Sequence, residues 1–195
     1  MKAAIFDFDG TLVDSMPLHF RAYQDVFAAV GLDLSRDDFF QNIGGTAKET
    51  IPRFLRGRPC ALSVEEIHGQ KKQRLHELLD LENVMPLEIA KLVVPLRSHC
   101  KTAIASSGSR PGIEKMLTRL SWQNWFDVVV TGEDVALGKP APDLFLCAAQ
   151  RLQVNPAECV VFEDADDGVE AARRAGMHVL DVRKMTSRSS YLDQK

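Results

Sequence analysis

No stretch of this chain approaches the ~18 consecutive apolar residues that a membrane-spanning helix requires, and the N-terminal apolar run is broken at Asp7, directly after Phe6. A membrane span is therefore excluded, and a cytoplasmic, reduced setting is expected. The four cysteines, Cys60, Cys100, Cys147 and Cys159, are scattered and form no Cys-x-x-Cys pair. That excludes the usual zinc and dithiol signatures and leaves them as small buried hydrophobes. An excess of positive charge is also missing: 24 Lys and Arg face 27 Asp and Glu, for a net charge of −3. This excludes a nucleic-acid binder acting through a general basic field, while leaving room for a local basic pocket that takes a small anion. Disorder is not the theme either, because 45% of the 195 residues are hydrophobic, enough for one domain with a small second lobe.

What is present is the run Asp7-Phe8-Asp9-Gly10-Thr11-Leu12-Val13-Asp14, directly after the apolar Ala3-Ala4-Ile5-Phe6. A buried carboxylate is costly unless it is paired, hydrogen-bonded or bound to a metal. The period of two along a strand predicts that Asp7 and Asp9 aim to the same side, as a nucleophile or metal site requires. The plain alternative is a turn at Asp9-Gly10 beside a satisfied Asp7. A calcium EF-hand loop does not fit. Counted from Asp7, its positions for a third oxygen ligand, a glycine and a bidentate glutamate hold Thr11, Leu12 and Leu18.

Five runs read as strands: Ala3 to Phe8, Thr102 to Ser106, Asp127 to Thr131, Cys159 to Glu163 and His178 to Val182. Apolar residues at three- and four-residue spacing predict helices over Pro111 to Leu120, Pro142 to Leu152 and Asp167 to Ala175, with Gly176 at the end of the last. The alternation predicts an α/β fold with a Rossmann-like parallel sheet covered on both faces. Between the first two strands the chain reads as helices only: His19 to Val30, Ser35 to Asn42, Ala47 to Leu55 and Val64 to Leu81, broken at Gly31, Gly44-Gly45 and Gly57-Arg58-Pro59. Residues 1–14 and 86–185 are thus expected to form the α/β core, with Glu88 to His99 leading back into it. Residues 15–85 are expected to form an inserted all-helical cap, and 186–195 a polar, loosely ordered tail.

In a parallel α/β sheet, ligands bind beyond the carboxyl ends of the strands. Four features fall there: Asp7 with Asp9, Ser106-Ser107-Gly108-Ser109, Gly138-Lys139-Pro140-Ala141-Pro142-Asp143, and Glu163-Asp164. In this order they resemble the four motifs of the haloacid dehalogenase-like hydrolases, over nearly the whole core, and the helical insertion resembles that family's cap. The resemblance implies a dehalogenase-like core with Asp7 as nucleophile and Asp9 as acid/base. It implies Ser107 as the phosphate-holding hydroxyl, with Ser106 as the alternative, Lys139 as the cation and Glu163-Asp164 as the acidic metal motif.

Phosphate monoesters are among the slowest compounds to hydrolyse unaided, so such a site must bring a nucleophile to phosphorus while neutralising several negative charges. Magnesium on hard oxygen ligands from Asp7, the Asp9 backbone carbonyl, Asp164 and Glu163 would supply that charge. Lys139 would add to it, and Ser107 with the Gly108 amide would hold the transferring oxygens. Asp7 would form an aspartyl-phosphate, kept ionised by the metal and Lys139, while Asp9 would protonate the leaving sugar oxygen and later deprotonate water. A P-loop reading of Gly138-Lys139 fails, because Pro140 occupies the Ser/Thr position and Gly132 stands one residue too far. An acidic helix start accounts for Asp166 and Asp167, but not for Glu163 at the end of an apolar strand.

The segment Asp14-Ser15-Met16-Pro17-Leu18-His19-Phe20-Arg21-Ala22-Tyr23 resembles the hinge and first cap helix of the β-phosphoglucomutase-like branch, where a histidine matching His19 faces the active site. Gly44-Gly45-Thr46-Ala47-Lys48 resembles that branch's substrate loop, making Thr46 a candidate contact, and Lys72 matches a cap lysine. A half-buried helix histidine and a solvated lysine are the structural alternatives for His19 and Lys72. The loop arginine with which the mutases grip a second phosphate is replaced by Ala47, so the bidentate clamp is missing. The chain's strongest resemblance is to the small bacterial phosphatases of fructose 1-phosphate and 6-phosphogluconate. A magnesium-dependent sugar phosphatase is therefore expected, acting on a small phosphorylated sugar as a monomer or weak dimer. The alternatives are a sugar phosphomutase, or a sugar-phosphate-binding module without turnover.

Overall fold

The computed structural model describes residues 1–185, so the tail expected at 186–195 lies outside the described residues. In chain order the elements are β1 (Ala3–Phe6), α1 (Met16–Ala29), α2 (Arg36–Asn42), α3 (Ala47–Leu55), α4 (Val64–Leu81), α5 (Val93–Arg97), β2 (Lys101–Ser106), α6 (Arg110–Arg119), β3 (Val128–Thr131), α7 (Asp143–Leu152), β4 (Cys159–Glu163), α8 (Asp166–Arg174) and β5 (His178–Asp181). Two compact units result: Met1–Asp14 with the described chain from Pro86 onward, and Ser15–Met85. Among the described residues no helix is long and apolar enough to cross a membrane.

The first unit carries one sheet, ordered β3-β2-β1-β4-β5, with every pairing parallel. The all-apolar β1 is central and fully buried, as a strand covered on both faces must be. Its alternate residues Ala3 and Ile5 join a core with Leu144, Phe145 and Ala148 of α7 and Ala171 and Ala172 of α8. Phe6, turned the other way, stacks on Phe162 of β4 with ring centroids 4.6 Å apart. Shape-matched apolar side chains on both faces thus hold the strand ends in a common register.

β1 is shorter than the run Ala3 to Phe8 predicts, and the turn that follows explains why. The Phe8 carbonyl accepts from the amides of Leu12 and Val13, and the Gly10 amide donates to the Val13 carbonyl. Gly10 sits at φ +91°, in the region that favours glycine. Only the Asp7 amide continues the ladder, donating to the Phe162 carbonyl at 3.0 Å. The alternation argument for Asp7 and Asp9 therefore does not apply; a turn, not a strand, orients Asp9. The returning segment Glu88 to His99 forms a 3-10 turn over Glu88–Leu92 that runs into α5.

The second unit is all helical, packed around Tyr23, Val26, Phe27, Phe39, Ile51, Phe54 and Ile67. α1 begins at Met16 with Pro17 in its first turn, three residues earlier than predicted. Ser35 lies outside α2 as its cap, accepting from the Asp38 amide at 3.1 Å. Ser63 and Glu66 close a capping box on α4, which fixes that helix's start without tertiary help.

Candidate active site

Three strand ends and the loop before α7 place the polar and charged groups of the α/β unit. Asp7 follows β1, Ser106 ends β2, Glu163 ends β4, and Lys139 precedes α7. Lys139, only 8% exposed, donates to Oε2 of Glu163 at 2.7 Å and forms a still shorter ion pair with Oδ1 of Asp7. Its ammonium also lies 5.0 Å from the centroid of the Phe145 ring. Residues far apart in the chain thus meet because β1 and β4 are neighbours in the sheet.

Asp7, Glu163 and Asp164 offer carboxylate oxygens within 4.8 Å of one another. Burial raises the Asp7 carboxyl well above its ordinary range, Glu163 and Asp164 push it further, and the opposing pull of Lys139 does not offset them. Asp164 is pushed up to about 6 by burial and by Glu163. For Lys139 burial opposes the charge, yet Asp7 and Glu163 outweigh it and hold the ammonium well above its usual value. Lys139 does pull Asp7 towards its ionised form, as expected, but without a metal one lysine does not outweigh burial and the neighbouring carboxylates. An acidic, buried, all-oxygen donor set with uncompensated charge fits a hard divalent cation such as magnesium.

The expected ligands are not alike. Oε1 of Glu163 accepts from the amides of Asp164 and Ala165 at 3.1 and 3.0 Å, while Oε2 takes Lys139, so both of its oxygens serve the protein. A side-chain carbon at Gly168, in the first turn of α8, would lie 2.0 Å from Oε2 of Glu163. Only glycine leaves room there for the Glu163 carboxylate. Asp164 lies in the turn after β4, and its Oδ1 accepts from the hydroxyl of the fully buried Thr11 at 2.8 Å.

In the second motif the structure separates Ser107 from its alternative, Ser106. Ser106, at the end of β2, is buried and donates to Oδ2 of Asp9 at 3.4 Å. Ser107, the residue expected to hold phosphate, is exposed beyond the strand end. The Gly108 amide, expected to face the substrate, donates to Oγ of Ser106 at 2.9 Å instead and so orients that hydroxyl. The structure thus brings together Asp7, Glu163, Asp164 and Lys139, and, beside them in the chain's first turn, Asp9 with Ser106 and Gly108.

Within the helical unit a comparable one-residue shift occurs. Lys71, not Lys72, is the buried lysine of α4; its Nζ lies 3.2 Å from Nδ1 of His19 and 5.1 Å from the centroid of the Tyr23 ring. Lys72 is exposed. Burial, with Lys71 and Lys72 close by, lowers His68 from its ordinary value. Thr46 stands at the N-terminus of α3, where its amide and hydroxyl both donate to Oε2 of Glu49, at 2.8 and 3.0 Å. Sequence reasoning missed Thr11, Gly168 and Lys71; a glycine in the first turn of a helix after an acidic strand end was the one visible signal.

The model of the haloacid dehalogenase-like hydrolases matches residues 4–182. The fructose-1-phosphate phosphatase YqaB of Escherichia coli is 34% identical over 92% of this chain and 95% of its own length. A phosphorylated carbohydrates phosphatase of Thermotoga maritima is 37% identical over 91% of this chain and 82% of its own. Among solved structures, CbbY from Rhodobacter sphaeroides in complex with phosphate superimposes with a TM-score of 0.81 at 32% identity, covering 92% of this chain and 84% of that one.

Proposed function

Because this chain belongs to the haloacid dehalogenase-like hydrolases and is a phosphomonoester hydrolase, we propose that it removes phosphate from small sugar phosphates such as fructose 1-phosphate or 6-phosphogluconate. The observation that carries this reading is Lys139 bridging Asp7 and Glu163, with Asp164 beside them in excess of its charge. Magnesium, when bound by Asp7, the Asp9 backbone carbonyl and Asp164, supplies positive charge that the side chains lack. Glu163, with both oxygens engaged, positions Lys139 rather than holding the ion.

An oxygen of Asp7 attacks phosphorus, and the sugar oxygen leaves with a proton from Asp9. Asp9 then takes a proton from the water that attacks the aspartyl-phosphate, which regenerates Asp7 and releases phosphate. Lys139 neutralises the transferring oxygens, and Ser106, oriented by the Gly108 amide, hydrogen-bonds them. The sugar preference is supported by the names of the two phosphatase relatives, and water as the acceptor by Ala47, which opens α3 in place of an arginine.

Phosphate release from a panel of sugar phosphates, with magnesium or with EDTA, tests this reading. Turnover of several sugar phosphates in magnesium only is expected; turnover undiminished by EDTA would overturn it. With β-glucose 1-phosphate and a trace of glucose 1,6-bisphosphate, free phosphate is expected. Glucose 6-phosphate accumulating ahead of phosphate would make the chain a mutase.

A further inference from the structure

Thr11 has no part in the chemistry above, yet its side chain is spent on it. Fully buried, it donates from Oγ1 to Oδ1 of Asp164 at 2.8 Å. The other oxygen fills space that only a glycine leaves: a side-chain carbon at Gly10 would lie 2.3 Å from Oδ2 of Asp164. The carboxylate is thus gripped at one oxygen by Thr11, in an orientation that the bare backbone of Gly10 leaves room for at the other. A bidentate carboxylate must turn both oxygens equally towards its ion. One whose Oδ1 already accepts a hydrogen bond presents a single oxygen best.

We infer that Thr11 is a positioning residue that makes Asp164 a one-oxygen ligand and thereby favours magnesium over calcium. Magnesium demands compact octahedral geometry, whereas calcium readily accepts bidentate carboxylates and higher coordination numbers. Loss of a partner that orients a metal ligand typically costs 10–100-fold in affinity. This inference rests on the proposed role of Asp164 as a metal ligand.

The test is calorimetric titration of the metal-stripped protein with magnesium chloride and, separately, calcium chloride, for wild type, T11V, T11S and D164N. T11V is nearly isosteric and should weaken magnesium at least about tenfold while weakening calcium less, so the magnesium-to-calcium preference falls. T11S, which keeps the hydroxyl, should restore the wild-type ratio. An unchanged ratio in T11V, with D164N abolishing magnesium binding, would overturn the role of Thr11 and leave the site reading intact. Magnesium binding unaffected by D164N would overturn Asp164 as a ligand and the inference with it. Thermal melts confirm folding of each variant, and T11A takes the place of T11V should the latter not fold.

Discussion

Lys139 in the α/β unit and Lys71 in the helical unit are equally buried, each 8% exposed, and are kept there by different means. Lys139 is held by two carboxylates brought in by two strands. Lys71 lies against an imidazole and an aromatic face, both on α1. Burial first, and then negative charge beyond what one ammonium cancels, push Asp7 and Asp164 upward around Lys139. Excess charge of that kind is expensive to fold and useful for chemistry. An ammonium set over an aromatic ring and beside an imidazole serves architecture as readily as binding.

The largest expected effect breaks the charged side of this contrast outright. D7N should reduce phosphate release by at least about three orders of magnitude, since it removes the proposed nucleophile, while the melting curve stays cooperative; turnover within tenfold of wild type would dismiss Asp7 from that role. K139M should destabilise the metal-stripped protein by about 3–5 kcal/mol near neutral pH, because it strands Asp7 and Glu163 without their cation. Urea unfolding measures the loss, and it should shrink on acidification as Asp7 takes up a proton.

A serine pair sharpens the site itself. S106A should lower kcat/KM by about 10–100-fold and S107A by no more than about threefold, both read as phosphate release; the reverse order would restore Ser107. The pH dependence follows from Asp164. Its folded value of about 6 stands above the ordinary carboxylate value, so the folded protein binds this proton more tightly than the unfolded chain does. The resulting stabilisation is complete below about pH 4 and is lost as pH rises through about 6. The melting temperature of metal-stripped wild type should therefore fall over that window relative to D164N, and added magnesium should raise it more at pH 7.5 than at pH 5. The smallest effect completes the contrast: K71M should cost about 1 kcal/mol, and K72M nothing measurable by the same urea unfolding.

The choices between neighbouring residues share a physical cause. Ser106 and Ser107 are chemically identical neighbours, as are Lys71 and Lys72, so composition offers no basis for choosing between them. The choice at the serines depends on where β2 leaves the sheet, because successive strand residues face opposite sides. At the lysines it depends on the phase of α4, where one residue turns a side chain by about 100°. The Gly108 amide was misjudged for a related reason: the hydroxyl two residues earlier takes it. Thr11 was passed over because its partner, Asp164, is 153 positions away in the chain.

By itself the sequence determined the elements and the chemistry they carry. Apolar runs alternating with three- and four-residue spacing dictated a parallel sheet with helices, local capping pairs such as Ser63 with Glu66 dictated where helices begin, and acidic residues at strand ends marked a cluster of buried charge. All of these are set by short-range periodicity and by the cost of burying charge, both readable along the chain. The tertiary structure alone decided which of two like neighbours is buried, that Glu163 is taken up by Lys139 and two amides, and that Gly10, Thr11 and Gly168 shape the carboxylates around them. Those outcomes depend on contacts among strand ends that meet only when the sheet is assembled, and on steric fits of a few ångströms that no spacing along the chain encodes.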